Sequence, residues 1–224
     1  MNAIKHLAII MDGNQRWSVK NNKTKLDGYT QGLKKVEEII SYSIIKKIPI
    51  LTIYALSHEN IKRKSVGLIF QLIENFNKKF LKKITEEKTV KINFIGEKNL
   101  LSSRLKEIFT KVENSTKNFK KLQLNIVFNY GTFEELISIY KNINKKKLKN
   151  IDEKIIRSNM YLKNLPDPDL LIRTGGYQRL SNFIILNLSY TELFFTDTLW
   201  PDLKLTEIDM IINKYKKIKR NYGL

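Results

Sequence analysis

Short apolar runs alternate along the chain with longer stretches in which apolar residues recur every three or four positions. The runs are Leu7–Met11, Ile50–Tyr54, Val90–Ile95, Leu122–Phe128, Leu170–Ile172 and Phe183–Leu188. Several lack polar alternation, the pattern of strands buried on both faces. Between them, Leu33, Val36, Ile39, Ile40 and Ile44 share one helical face, and Leu68, Leu72, Phe76, Phe80 and Ile84 another. Leu101, Leu105, Ile108, Phe109 and Val112 form a third stripe. A fourth helix is expected from Thr132, with Glu135 completing a capping box and Leu136, Ile139, Tyr140 and Ile143 on one side. The last follows Thr206 and carries Ile208, Ile211, Ile212, Tyr215 and Ile218.

Strand and helix in alternation predict an α/β fold with a mainly parallel sheet flanked by helices. No repeat and no linker interrupts it, so one domain over 1–224 is expected, with Lys145, Lys146, Lys147 and Lys149 as an exposed connection. Such folds carry their chemistry at the carboxyl ends of strands.

Composition narrows the chemistry. The 224 residues include no cysteine, which excludes disulfides, zinc-cysteine sites and thiol catalysis. Lys and Arg outnumber Asp and Glu by 41 to 22, a net charge of +19, and 34 of the 41 are lysine. Lysine in that abundance, beside 31 Ile and 22 Asn, reads as a solvated surface rather than a nucleic-acid face. Arginine is scarce, so the positions of the seven carry more information. No apolar run is long enough for a signal peptide core or a membrane span, and a cytoplasmic protein is expected.

Four of the seven arginines fall just beyond candidate strands: Arg16, Arg63, Arg173 and Arg179. The first run ends in Asp12-Gly13-Asn14-Gln15-Arg16-Trp17. Backbone N–H groups of such a loop can cradle phosphate oxygens, with Arg16 adding a charged fork and Asp12 a ligand for Mg²⁺. The same residues also suit a plain turn capped by Asp12. The second run leads into Ser57, His58, Glu59, Asn60 and Arg63, in which Ser57 or Asn60 could equally cap a helix. His6 and His58 have no second histidine at metal-ligand spacing and are expected at the surface. The fifth run ends in Arg173-Thr174-Gly175-Gly176, followed by Arg179 and Ser181, a set suited to gripping a diphosphate. Phosphate-loop, dinucleotide-loop and nucleophile-elbow signatures are absent from the sequence, as is an aspartate-rich D-D-x-x-D pair.

Four segments, in order, resemble the cis-prenyltransferases: His6–Asn14 with Arg16 and Trp17; Tyr54–Ser57 with Glu59 and Asn60; Asp169–Gly176; and Glu192–Asp197 with Leu199–Asp202. The resemblance implies a homodimer built on a central, mainly parallel six-stranded sheet. It implies condensation of isopentenyl diphosphate, each new double bond cis, onto an allylic starter, usually farnesyl diphosphate. The product would be a long polyprenyl diphosphate such as undecaprenyl diphosphate. Carried over, Asp12 binds Mg²⁺ and assists departure of the allylic diphosphate, which Gly13, Asn14 and Arg16 cradle with Lys25 as a further basic group; Gln15, Trp17 and Tyr29 are also expected in the substrate site. Arg173, Arg179 and Ser181 hold the second diphosphate. Glu192 completes the metal site from the partner subunit. Ser57 and Asn60 sit beside the reacting carbons, supported by Arg63, with Glu59 also in the substrate site. The helix carrying Leu68, Ile69, Leu72, Ile73 and Phe76 suits the wall of a product tunnel as well as plain core packing. The proton lost from isopentenyl diphosphate has three conceivable acceptors: Asp12, Asn60 with Ser57, or the released diphosphate. A lipid product suggests a peripheral contact with the cytoplasmic membrane face, where lysines would help.

The chain departs from the family pattern at several positions. Gln15 stands for a glycine common in bacterial members, Tyr29 and Gln178 for frequent histidines, and Ile61 for a tryptophan. Thr132 replaces a second glycine, and Asn221 an arginine of the C-terminal element.

Overall fold

The computed structural model describes residues 2–61, 86–98 and 101–220. Six strands form one sheet among them: β1 (His6–Ile10), β2 (Ile50–Ser57), β3 (Val90–Ile95), β4 (Leu122–Tyr130), β5 (Leu170–Arg173) and β6 (Glu192–Phe195). Their order is β3-β4-β2-β1-β5-β6 and every pairing is parallel. Helices α1 (Asn14–Lys20), α2 (Lys25–Ile45), α3 (His58–Ile61), α4 (Ser103–Thr116), α5 (Thr132–Lys145), α6 (Glu153–Asn159) and α7 (Leu205–Lys217) accompany it. The expected stripe from Leu68 to Ile84 lies outside the described residues.

Side chains on successive strand positions point to opposite faces, and here both faces are buried. Leu7, Ile9, Leu51, Ile53, Leu170 and Ile172 join a cluster with Val36, Ile39, Phe109, Ile208 and Tyr215 from α2, α4 and α7. Ala8, Ile10, Tyr54, Val127 and Leu171 face the other way, onto Leu162, Phe183, Ile184 and Leu188. This explains why the strand runs are apolar without alternation.

Four expectations need correction. Phe183–Leu188 is not a strand: Ser181, Asn182 and Ile184 have φ of 49°, 64° and 32°, a left-handed path that no strand can follow. Its Phe183, Ile184 and Leu188 are apolar because they cover the second face of the sheet, and the sixth strand is Glu192–Phe195. Helix α5 is capped by Gly131 rather than Thr132, with no side-chain cap bond. Glu135 is instead buried, accepting hydrogen bonds from the Tyr130 hydroxyl at 2.5 Å and the Tyr161 N–H at 2.7 Å. Helix α7 begins at Leu205 after Lys204, so Thr206 lies inside it and Ile218 just beyond.

His6 is the fourth correction, since it is fully buried in β1. Its Nδ1 lies 2.7 Å from the Pro166 carbonyl, which can only accept, so Nδ1 donates and Nε2 accepts from the Thr52 hydroxyl at 2.7 Å. Thr52 in turn accepts from Asn125 Nδ2 at 3.0 Å, and Asn125 Oδ1 accepts from Asn93 and Gln123. A directed polar chain therefore crosses β3, β4, β2 and β1. His58 is half-buried, with Nδ1 3.0 Å from Asn129 Oδ1.

Helices α1 and α6 were not evident in the apolar pattern, nor was the first part of α2. Helix α1 starts immediately after β1, and α2 starts at Lys25, eight residues before its apolar stripe, on a capping box of Thr24 and Asp27. Gly28 and Gly32 allow α1 to lie directly on α2. A side chain on Gly28 would collide with Ser18 Oγ and the Asn14 carbonyl, and one on Gly32 with Asn14 Oδ1.

Candidate active site

The carboxyl ends of β1, β2 and β5 open into one cavity of about 670 Å³. Central strand β1, flanked by β2 and β5, brings three loops together that are far apart in sequence. The cavity is lined by Asp12, Gly13, Asn14, Gln15, Arg16, Tyr29, Ser57, Glu59, Asn60, Arg173, Arg179 and Ser181, twelve of the expected site residues.

Asp12 is the hub. Its Oδ1 accepts from Arg16 Nη2 at 3.0 Å and its Oδ2 from Arg173 Nη2 at 2.8 Å. Its backbone is clamped by Thr174, whose hydroxyl accepts from the Asp12 N–H at 3.0 Å and donates to the Asp12 carbonyl at 2.8 Å. Gly13, at φ 124°, turns the chain into α1 with Leu199 packed 3.0 Å from where a side chain would start. The first turn of a helix leaves N–H groups without intrahelical partners, and here that turn, Asn14 to Arg16, lines the cavity. The Asn14 side-chain oxygen lies against Gly32 in the α1–α2 seam.

The second anchor is Arg173, only 3% exposed. Besides Asp12, it donates through Nη1 to Ser181 Oγ at 2.8 Å and to the Arg179 carbonyl. Gly175 and Gly176, at φ 85° and 80°, turn the chain away, their N–H groups tied to Thr198 and Thr196 carbonyls at 2.8 Å each. Arg16 Nη1 reaches across to the Gly175 carbonyl at 2.7 Å. The arginines of the first and fifth strand ends thus meet at one carboxylate.

On the β2 side the ladder with β4 is irregular between Tyr54 and Ser57, as strands often are beside sites. Ser57 Oγ accepts the Asn60 N–H at 3.2 Å, so the helix-cap reading of Ser57 holds together with its place in the cavity. Burial acts to raise the Glu59 carboxyl, but its own N–H, the Ser57 hydroxyl and the Asn182 amide outweigh it and hold the group below the ordinary range. Gln15 Nε2 donates to the Tyr29 hydroxyl at 2.8 Å, so two of the family departures touch each other at the cavity wall.

Four expected residues stand apart. Trp17 turns from the cavity and donates from Nε1 to Asp202 Oδ1 at 2.7 Å. Lys25 is exposed at the start of α2 and does not line the cavity. Glu192 opens β6 in register with Leu170, three residues or roughly 10 Å along the strand from the Arg173 end, so within one chain it is not brought to Asp12. Arg63 lies outside the described residues. Conversely, Tyr54, Tyr177 and Asn182 line the cavity without having been expected there, and Thr174 supports it. The only signal for Tyr177 was its place between a Gly-Gly turn and an arginine.

A parallel α/β sheet whose strand ends converge arginines, a carboxylate and helix-start N–H groups defines a protein that handles phosphorylated substrates. The chain belongs to the cis-prenyltransferase family and is a prenyltransferase: the family model described as "Putative undecaprenyl diphosphate synthase" matches residues 10–223. It is 40% identical to an isoprenyl transferase of Rickettsia prowazekii, covering 100% of this chain and 99% of that protein. It is 37% identical to the geranylgeranyl-diphosphate-specific tritrans,polycis-undecaprenyl-diphosphate synthase of Pyrococcus horikoshii, over 98% of this chain and 86% of that one. Lavandulyl diphosphate synthase from Lavandula x intermedia, solved with dimethylallyl diphosphate, superposes with a TM-score of 0.93 at 28% identity, over 99% and 98% of the two chains.

Proposed function

We propose that the chain, as one catalytic domain over 1–224, condenses isopentenyl diphosphate in cis onto an allylic diphosphate, farnesyl diphosphate in the first instance, to make a long-chain polyprenyl diphosphate. The observation that carries this reading is the Asp12 carboxylate shared between Arg16 and Arg173. It supports two diphosphate subsites side by side. Arg16 and the start of α1 would receive the leaving diphosphate of the starter, and Arg173, Arg179 and Ser181 the diphosphate of the incoming unit. Ser57 and Asn60, at the end of β2, would border the carbons between them. Charge building on the departing diphosphate is then met by donors already in place, which is where fixed dipoles and cations contribute most.

Among the described residues no three His, Cys, Asp or Glu side chains cluster to form a protein-only metal cage. One cavity carboxylate, Asp12, beside a phosphate subsite fits Mg²⁺ that keeps water and substrate oxygens as its other ligands. When bound there with Asp12, Mg²⁺ would neutralise charge on the leaving group. Glu192 would join only from a second copy. A homodimer is supported by Phe133, Leu136, Ile137 and Tyr140, 68%, 40%, 53% and 65% exposed, which form one apolar stripe along α5. Among the described residues no helix is long and apolar enough to cross a membrane, so contact with a bilayer would be peripheral and lysine-driven.

The test is incorporation of labelled isopentenyl diphosphate onto farnesyl and geranylgeranyl diphosphates with Mg²⁺, followed by chromatography of the dephosphorylated products. Long cis-polyprenols that vanish with chelator or with Asp12→Ala are expected. Absence of diphosphate release from either starter would overturn the assignment.

A further inference from the structure

Three guanidinium groups gather around one ring that the proposed reaction has not used. The Tyr177 ring centroid lies 4.0 Å from Cζ of Arg179, 4.7 Å from Cζ of Arg16 and 5.7 Å from Cζ of Arg173. All four residues line the cavity. Like charges this close repel, and at this end of the cavity Asp12 supplies one carboxylate against three cations. Arg173 is fixed by Asp12, Ser181 and the Arg179 carbonyl, and Arg16 by Asp12 and the Gly175 carbonyl. The exposed Arg179 guanidinium has no hydrogen-bond or ion-pair partner among the described residues, and its contact is the Tyr177 ring.

A cation held over an aromatic ring is attracted by the negative face of the ring. A guanidinium that gives its flat face to a ring keeps its N–H groups, which lie in the plane, free for an anion. Ring contact and diphosphate contact are therefore compatible, and the ring lowers the entropic cost of collecting the arginines when the anion arrives. Gly175 and Gly176 supply the turn that puts Tyr177 between the first and fifth strand ends.

We infer that Tyr177 is a positioning residue that pre-assembles Arg16 and Arg179 around Arg173, so that this end of the cavity takes a diphosphate in preference to a single phosphate. The inference rests on the two-subsite reading above and adds to it a residue that would act on affinity without touching the reacting carbons.

The experiment measures calorimetric binding of inorganic diphosphate and of inorganic phosphate, together with steady-state kinetics, for wild type, Tyr177→Phe and Tyr177→Ala. The alanine variant is expected to bind diphosphate about tenfold more weakly, with a similar rise in KM for isopentenyl diphosphate and kcat within about threefold. Its phosphate affinity should change by less than about threefold. The phenylalanine variant, which keeps the ring, should stay within about twofold of wild type throughout. If circular dichroism shows the alanine variant unfolded, Tyr177→Leu supplies bulk without a ring and should show the same loss. Wild-type affinity in the ring-less variant, or equal loss in the phenylalanine variant, would overturn the inference. A wild type that binds diphosphate but transfers no prenyl group would sink the proposed reaction, while the calorimetric comparison still decides the role of the ring.

Discussion

Gly175 and Gly176 offer a matched pair for separating backbone strain from damage to the site. Both sit at nearly the same positive φ, 85° and 80°, so alanine at either costs about 1–2 kcal/mol of backbone energy. Their surroundings differ. A Cβ on Gly176 meets only Asp197 Oδ1 at 3.1 Å and Asp197 Cα at 3.8 Å, whereas one on Gly175 collides with Arg16 Nη2 and lies 3.0 Å from the Asp12 carbonyl. Gly175→Ala must displace the Arg16 fork, breaking its bonds to Asp12 Oδ1 and the Gly175 carbonyl. The Arg16 side chain is 43% exposed, so the lost pair adds little to the stability change, about 1 kcal/mol at most after screening. Activity should respond far more. Under the proposed function, one charged hydrogen bond from Arg16 to the leaving diphosphate would be worth about 2–3 kcal/mol, or about 30- to 150-fold in kcat/KM. Urea unfolding and labelled isopentenyl diphosphate incorporation on the same preparations provide the check. Both variants should lose similar stability, and only Gly175→Ala should lose most of its activity. Equal activity loss in Gly176→Ala, or a Gly175→Ala enzyme within threefold of wild type, would refute the reasoning.

Three further outcomes are expected. Desolvation by burial holds the His6 pKa below 6.5 in the folded chain, so the unfolded chain takes the proton first. Stability should be at its plateau above pH 6.5 and fall as pH drops toward the lowered folded value, by up to about 1.4 kcal/mol per pH unit; His6→Gln should flatten that part of the profile in urea titrations. Burial raises the Glu135 carboxyl above its usual range against the Tyr130 and Tyr161 bonds that favour the anion, and Glu135→Ala would strand both donors, costing about 2–4 kcal/mol by thermal melt. Ile137→Glu on the exposed α5 stripe should convert the proposed dimer to monomers by sedimentation while leaving the far-ultraviolet spectrum unchanged, and a wild type that sediments as a monomer would refute the dimer.

The chemistry-bearing loops were legible because charge is unusual where an apolar strand ends. Asp12, Arg16 and Arg173 stood out for that reason, and they converge. Phe183–Leu188 misled because a buried irregular cover and a buried strand need the same apolar residues; only the backbone at Asn182 and Ile184 tells them apart. His6 could not be read as buried, since the groups that satisfy it, Thr52 and Pro166, lie 46 and 160 residues away. Glu135 looked like a cap because its partner Tyr161, 26 residues downstream, leaves no local trace. Tyr177 escaped notice because an aromatic side chain announces itself through charge only when its neighbours in space are known.

Asp12 and Arg173, which meet at 2.8 Å, are 161 residues apart in the chain. During synthesis at about 5–20 residues per second, Asp12 is joined to the chain roughly eight to thirty seconds before its partner exists. Through that interval β1 has β2 beside it but an open edge where β5 will pair. The Asp12–Arg173 pairing therefore forms late, and a nascent or truncated chain ending before Arg173 keeps Asp12, Arg16 and the start of α1, one of the two proposed diphosphate subsites, but lacks the other. Under the proposed function, occupancy of the second subsite would report the arrival of β5, and added isopentenyl diphosphate should favour chains that include Arg173, Arg179 and Ser181 over shorter ones.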